Sequence, residues 1–173
     1  ARVELCTTTR QVRQDTLAMV AGFLKKVGVS SVISPVSPAD IFAAYNESTE
    51  QTPCNLSRGN FDLAEHAFLS SLDPNSSYTT YHSTQVEPVG GNSAQVNDPE
   101  LDAALDTVKN SVDLAVIKDA METFQDIYVA NTVEVPLYYR KNVELHAPVL
   151  GNFFANGTTQ GPTWNSWDWY RKG

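Results

Sequence analysis

A helix-forming stretch between two apolar, strand-like runs near the start of the chain limits the topology more than any other feature. Residues 3–7 read as a strand. Residues 10–27 carry a stripe at Val12, Thr16, Met19, Val20, Phe23, Leu24 and Val27, the spacing of an amphipathic helix. Gly28 is placed to end that helix in the left-handed conformation that glycine tolerates. Residues 29–36 read as a second strand. A strand–helix–strand unit of this length suits a right-handed crossover between parallel strands. The expected class is therefore α/β.

Further along, Ser37-Pro38-Ala39-Asp40 has the form of a cap and first turn of a short helix reaching Ala44 or Tyr45. Residues 46–60 are polar and predict a surface loop. Residues 58–64 enter a strand, in which Asp62 is either an outward, loop-anchoring carboxylate or a buried anchor. Residues 75–98 are rich in Ser, Thr, Asn and Gly, include Gly90-Gly91, and predict a long irregular connection. Asp98 caps a helix with Pro99 in its first turn and Leu101, Leu105 and Val108 on one face. Asp113 caps another, with a stripe at Val116, Ala120, Phe124, Ile127 and Tyr128. Residues 133–139 read as an edge strand interrupted by Pro136, and residues 143–149 as another. Trp164, Trp167 and Trp169 cluster with Phe153, Phe154 and Tyr170 near the end.

The length, 173 residues, suits one domain with a real core. Twenty acidic against twelve basic residues give a net charge of -8, which argues against nucleic-acid binding because phosphates need a basic face. No apolar run reaches the roughly 20 residues of a membrane helix. The chain opens Ala1-Arg2-Val3 without an initiator Met or a signal peptide, so a piece of a longer protein is expected.

The histidines, His66, His82 and His146, lack metal-motif spacing, and no nucleophile elbow, phosphate loop or dinucleotide fingerprint occurs. No catalytic residue, metal or cofactor is therefore assigned. Asp98, Glu100, Asp102, Asp106 and Asp113 read as helix caps and solvated faces. Asn46, Asn55, Asn75 and Asn156 begin N-glycosylation patterns, which arise easily by chance in a Ser/Thr-rich chain. Cys6 falls in the first strand and Cys54 in a loop before another. A disulfide is feasible if those strands are neighbours; otherwise they are two unrelated small residues.

Several segments, in order, resemble the extracellular solute-binding proteins of the peptide/nickel class that feed ABC importers. They are Leu24-Lys25-Lys26-Val27-Gly28-Val29, the Gly59-Asn60-Phe61-Asp62-Leu63 strand entry and Asp73-Pro74. Asn97-Asp98-Pro99-Glu100-Leu101-Asp102, the helix Lys118 to Ile127, and Val135-Pro136-Leu137-Tyr138 complete the set. The resemblance implies a mixed sheet flanked by helices, as in the C-terminal lobe of a periplasmic-binding-protein-like clamshell. Residues 1–150 would form part of that lobe, and residues 151–173 a tail returning toward a missing N-terminal lobe.

The implied function is capture of an oligopeptide, nickel chelate or similar solute without catalysis, and delivery to permease subunits. The protein would be extracellular or periplasmic, tethered as a lipoprotein. The aromatic tail could pair two copies of the fragment. Expected ligand contacts are Glu65, His66, Phe68, Ser70 and Ser71. Relatives often place an aspartate in this region for a peptide's amino terminus; here Ser70 and Ser71 occupy the plausible positions. That departure disfavours free-amine peptides unless Glu65 or Asp73 substitutes, and a neutral or sugar-like ligand fits equally well. The alternative from another class is a small hydrolase using His66 with a nearby Ser or carboxylate.

Overall fold

The computed structural model describes residues 1–67, 71–139, 141 and 143–173. They fall into two compact units: Ala1–Ala67 with Asn75–Val133, and Phe68–Pro74 with Glu134–Gly173.

In the first unit, β1 (Arg2–Thr8) is the centre of a three-stranded parallel sheet in the order β2-β1-β3, with β2 at Ser30–Val36 and β3 at Leu63–Ala64. Helix α1 (Gln11–Lys26) connects β1 to β2 and packs on both. It stops as its sequence predicts. Gly28 adopts φ +82°, its N–H donates to Lys25 O, and the Val29 N–H reaches back to Leu24 O. These are the two bonds that satisfy the last carbonyls of a helix. The buried face of α1 centres on Thr16 and Leu17. Val12, Met19, Phe23 and Val27, counted in the apolar stripe, are exposed instead.

Ser37 caps the short helix α2 (Pro38–Ile41), accepting from the Asp40 N–H. The following loop is more than polar covering. Arg58 lies 3.5 Å from the Tyr45 ring centre and donates to the carbonyls of Tyr45 and Ser48. Buried Asn55 donates to Asp40 O and Ala43 O, so this glycosylation pattern is structural. Asp62 is the outward anchor, accepting from the Glu4 N–H at 2.7 Å.

The segment 75–98, expected to be irregular, contains helix α3 (Ser76–Tyr81). Its tyrosines do what a longer apolar stripe would do: Tyr78 and Tyr81 pack on the core formed by Leu101, Ala104, Leu105 and Phe124. The loop behind it is organised by buried Asn92, whose amide bonds His82 O, Val96 O and the Val96 N–H. Helices α4 (Pro99–Asn110) and α5 (Leu114–Ala130) pack side by side, capped by Asp98 and Asp113 as their sequence predicts. Of the α5 stripe, Ala120 and Phe124 are buried, whereas Val116 is exposed. Asp102 belongs to no solvated face, because its carboxylate accepts from the backbone N–H and hydroxyl of Ser83.

In the second unit, β4 (Leu150–Gly151) and β5 (Tyr170–Arg171) form an antiparallel pair. The Tyr170 ring lies so close over Gly151 that any side chain there would collide with it. The strands expected at 133–139 and 143–149 are not formed among the described residues. Pro136 removes one ladder donor, and neither run pairs with a described strand.

Candidate functional site at the carboxyl ends of the parallel strands

The strand order carries a functional consequence. From β1 the chain crosses to β2 on one side, and the connection from β2 then passes back over β1 to add β3 on the other, so the direction of winding reverses at β1. In open α/β sheets a crevice for ligands forms beyond the carboxyl ends of the strands at such a switch point. Here that edge consists of Thr7 and Thr8 at the end of β1, Thr9 and Arg10 after it, the first turn of α1, and Glu65 and His66 after β3.

Glu65 is held on three sides. Its N–H donates to Cys6 O at 2.8 Å, continuing the β1–β3 pairing by one residue. Thr7 Oγ1 donates to Glu65 Oε2 at 2.7 Å and reaches Glu65 O at 3.0 Å. Arg13 Nε lies 3.7 Å from the same carboxylate oxygen, and Arg13 Nη1 donates to Thr8 Oγ1. The side chains of Arg13 and Glu65 are only 14% and 10% exposed. A carboxylate paired with an internal guanidinium is already compensated, so Glu65 carries little spare charge for a ligand ammonium.

His66 follows, half-buried. Ser71 belongs to the second unit, is exposed, and its hydroxyl accepts from the Asp73 N–H at 3.1 Å. Phe68 and Ser70 lie outside the described residues. Sequence reasoning places the ligand edge only after β3 and does not single out the β1–α1 half, with Thr7, Thr8 and Arg13. The signal for that half is the Thr7-Thr8-Thr9 run closing an apolar strand, followed by a helix with no acidic residue in its first turn.

The remaining polar clusters serve the fold. Buried His82 stacks on Tyr78 and accepts from the Thr84 N–H at its Nδ1. Among the described residues no histidine joins a group of three potential metal ligands. A surface depression of about 350 Å³ lies between Val96, Asn97, Asp98, Asn131, Thr132 and Val133. Its carboxylate is already committed, since Asp98 accepts from the Glu100 and Leu101 N–H groups and from Asn131 Nδ2. The Leu101 N–H is the main reason that Asp98 titrates below its ordinary value; partial desolvation opposes this, and the Glu100 N–H and Asn131 assist.

No family model matches the sequence, and no curated protein matches it. Solved structures do. NikZ from Campylobacter jejuni, in complex with Ni(L-His), superimposes with TM-score 0.73 at 20% identity over 98% of this chain and 33% of that one. The oligopeptide-binding protein AppA from Bacillus subtilis, holding a nonapeptide, gives TM-score 0.77 at 20% identity over 99% and 32%. The oligopeptide-binding protein from Thermus thermophilus, complexed with a pentapeptide, gives 0.73 at 24% identity over 97% and 29%. The chain thus spans about a third of the length of these structures. It resembles a fragment of a peptide- or nickel-binding protein and has the α/β fold of that part of them.

Proposed function

We propose that this chain is part of the C-terminal lobe of a two-lobe solute-binding protein that captures a small solute for an ABC importer and does no covalent chemistry. The likeness of fold over almost the whole chain to proteins holding a nonapeptide, a pentapeptide and Ni(L-His) carries the reading. The strand order supports it, because it puts a ligand edge at the ends of β1 and β3. On this reading residues 151–173 return toward the other lobe, and Glu65, His66, Phe68, Ser70 and Ser71 are the expected ligand contacts. Permease subunits are the macromolecular partners, and the aromatic tail lets isolated fragments pair.

The Cys6–Cys54 disulfide supports an oxidising compartment, periplasmic or extracellular, where such bonds persist. Lipoprotein tethering belongs to the same proposal. The hydrolase alternative built on His66 finds no support, since the similar structures are binding proteins.

A clamshell gains affinity by closing two lobes over a ligand, and closure buries most of the ligand surface. The chain alone should therefore bind peptides, sugars or nickel chelates no more tightly than about 1 mM. The protein expressed from its complete reading frame should bind one of these classes orders of magnitude more tightly. Calorimetric titration of both against the same panel tests this. Tight binding by the chain alone, or turnover of an ester or peptide substrate, overturns the reading.

A further inference from the structure

We infer that Glu4, Cys6 and Cys54 form a latent site for a thiophilic divalent cation of the zinc class, opened when the disulfide is reduced. The strand period sets it up. Glu4 and Cys6 are two residues apart on β1, so their side chains project from the same face. Cys6 is paired in register with Ser34 of β2, and Cys54 comes in from the 42–60 loop to close the bond. One carboxylate oxygen of Glu4 and the two sulfurs all lie within 4.8 Å of one another, the one such group of three among the described residues. The ligands of a tetrahedral zinc ion stand about 3.5–3.8 Å apart, given bonds of about 2.3 Å to sulfur and 2.0–2.2 Å to oxygen. Small side-chain rotations reach that spacing. The Cα atoms of the cysteines, 5.6 Å apart, need not move far.

Three further observations fit a cation. Glu4 Oε1 accepts from Ser34 Oγ, a neighbour that orients a carboxylate ligand as outer partners do in metal sites. Both cysteines are buried, so thiolates formed there lack water and gain most from a cation. Glu4 is half-buried and provides the route from solvent. Two thiolates and one carboxylate supply soft and hard donors together, which suits zinc or cadmium rather than calcium or magnesium. Solvent takes the fourth position.

The chemistry balances with a phosphine reductant. The phosphine gives two electrons to the S–S bond and takes the oxygen of one water to become its oxide; that water's two protons go to the two sulfurs. The cation then displaces both thiol protons into the buffer. Disulfide and metal bridge are thus alternative crosslinks between the same strand and the same loop.

The test titrates the full chain with Cd²⁺, before and after phosphine reduction, following thiolate-to-cadmium charge-transfer absorption in the ultraviolet. The reduced chain should bind one equivalent and the oxidised chain none at this site. Glu4→Gln should weaken binding at least about tenfold, and Ser34→Ala by a smaller factor. Cys54→Ser should abolish the absorption band. No stoichiometric binding by a reduced chain that circular dichroism shows folded overturns the site, and so does equal affinity in Glu4→Gln. If reduction unfolds the chain, Zn²⁺ should restore the native circular dichroism spectrum; failure to restore it also overturns the inference.

Discussion

Arg13 Nε lies 3.7 Å from Glu65 Oε2, with both side chains largely withdrawn from water, so the first turn of α1 and the end of β3 share one ion pair. The pair spans the switch point of the sheet and fixes both loops that leave it. Thr7 completes the arrangement by donating to the same oxygen. Removing one partner leaves the other charge uncompensated in a poorly solvated place.

Arg13→Gln should therefore destabilise the fold by about 2 kcal/mol, less than the 3–5 kcal/mol typical of fully buried pairs because some solvent remains. Glu65→Gln should cost less, since the amide still accepts from Thr7. The double variant should show a coupling of about 1 kcal/mol. Denaturant unfolding of the four proteins checks this; strict additivity would mean that the pair contributes nothing.

The core of the helical part rests on a small set of side chains. Leu101 and Leu105 are fully buried against Ala104 and Phe124. Leu105→Ala should cost about 3 kcal/mol, the lost transfer energy plus an unfilled cavity. Val116→Ala, on the exposed flank of α5, should stay within about 0.5 kcal/mol. Similar losses at both positions would contradict the exposure of Val116.

Asp98 supplies a pH dependence whose sign is fixed by its partners. Its carboxylate titrates below its ordinary value of 3.8 in the folded chain, chiefly because the Leu101 N–H donates to it. A depressed carboxylate adds stability that is fully present above the unfolded value and is lost as pH falls toward the folded one. Amide protection in the first turn of α4 should therefore weaken as pH drops below about 4. Asp98→Asn keeps a capping oxygen but cannot titrate, so that acid limb should flatten while the cap survives at neutral pH. Hydrogen exchange followed across pH reads both effects; an unchanged acid limb in the variant would assign it to another group.

Local rules are legible where one residue decides the geometry. Gly28 ends its helix through its free backbone, Ser37, Asp98 and Asp113 begin theirs through their side chains, and the β1–α1–β2 unit is parallel because the connecting helix carries the chain back across the sheet. Long-range pairing is not legible. Residues 133–139 have strand composition, yet forming a ladder needs a neighbouring edge that periodicity does not reveal. Helix α3 escapes sequence reasoning for the opposite reason. It is short and polar except for Tyr78 and Tyr81, and its packing comes from α4 and α5, not from its own stripe. At the candidate site, Glu65 is named from its position after β3. Its partners Thr7 and Arg13 are 58 and 52 residues away in sequence, so only the fold brings them to it.

The disulfide gives the largest single expected effect. Cys6 lies in the central strand and Cys54 in a loop 48 residues later, both buried. Closing a loop of that length removes conformations from the unfolded chain, a stabilisation of about 4 kcal/mol in the chain-entropy treatment. The loop is held independently by Asn55 and by Arg58, so the folded state should survive without the bond. A Cys6→Ala, Cys54→Ala double variant should therefore keep native circular dichroism while its denaturation midpoint falls. The slope of its unfolding curve should change as well, because the unlinked unfolded chain exposes more surface. A midpoint equal to that of the oxidised wild type would show that the crosslink does not stabilise the fold.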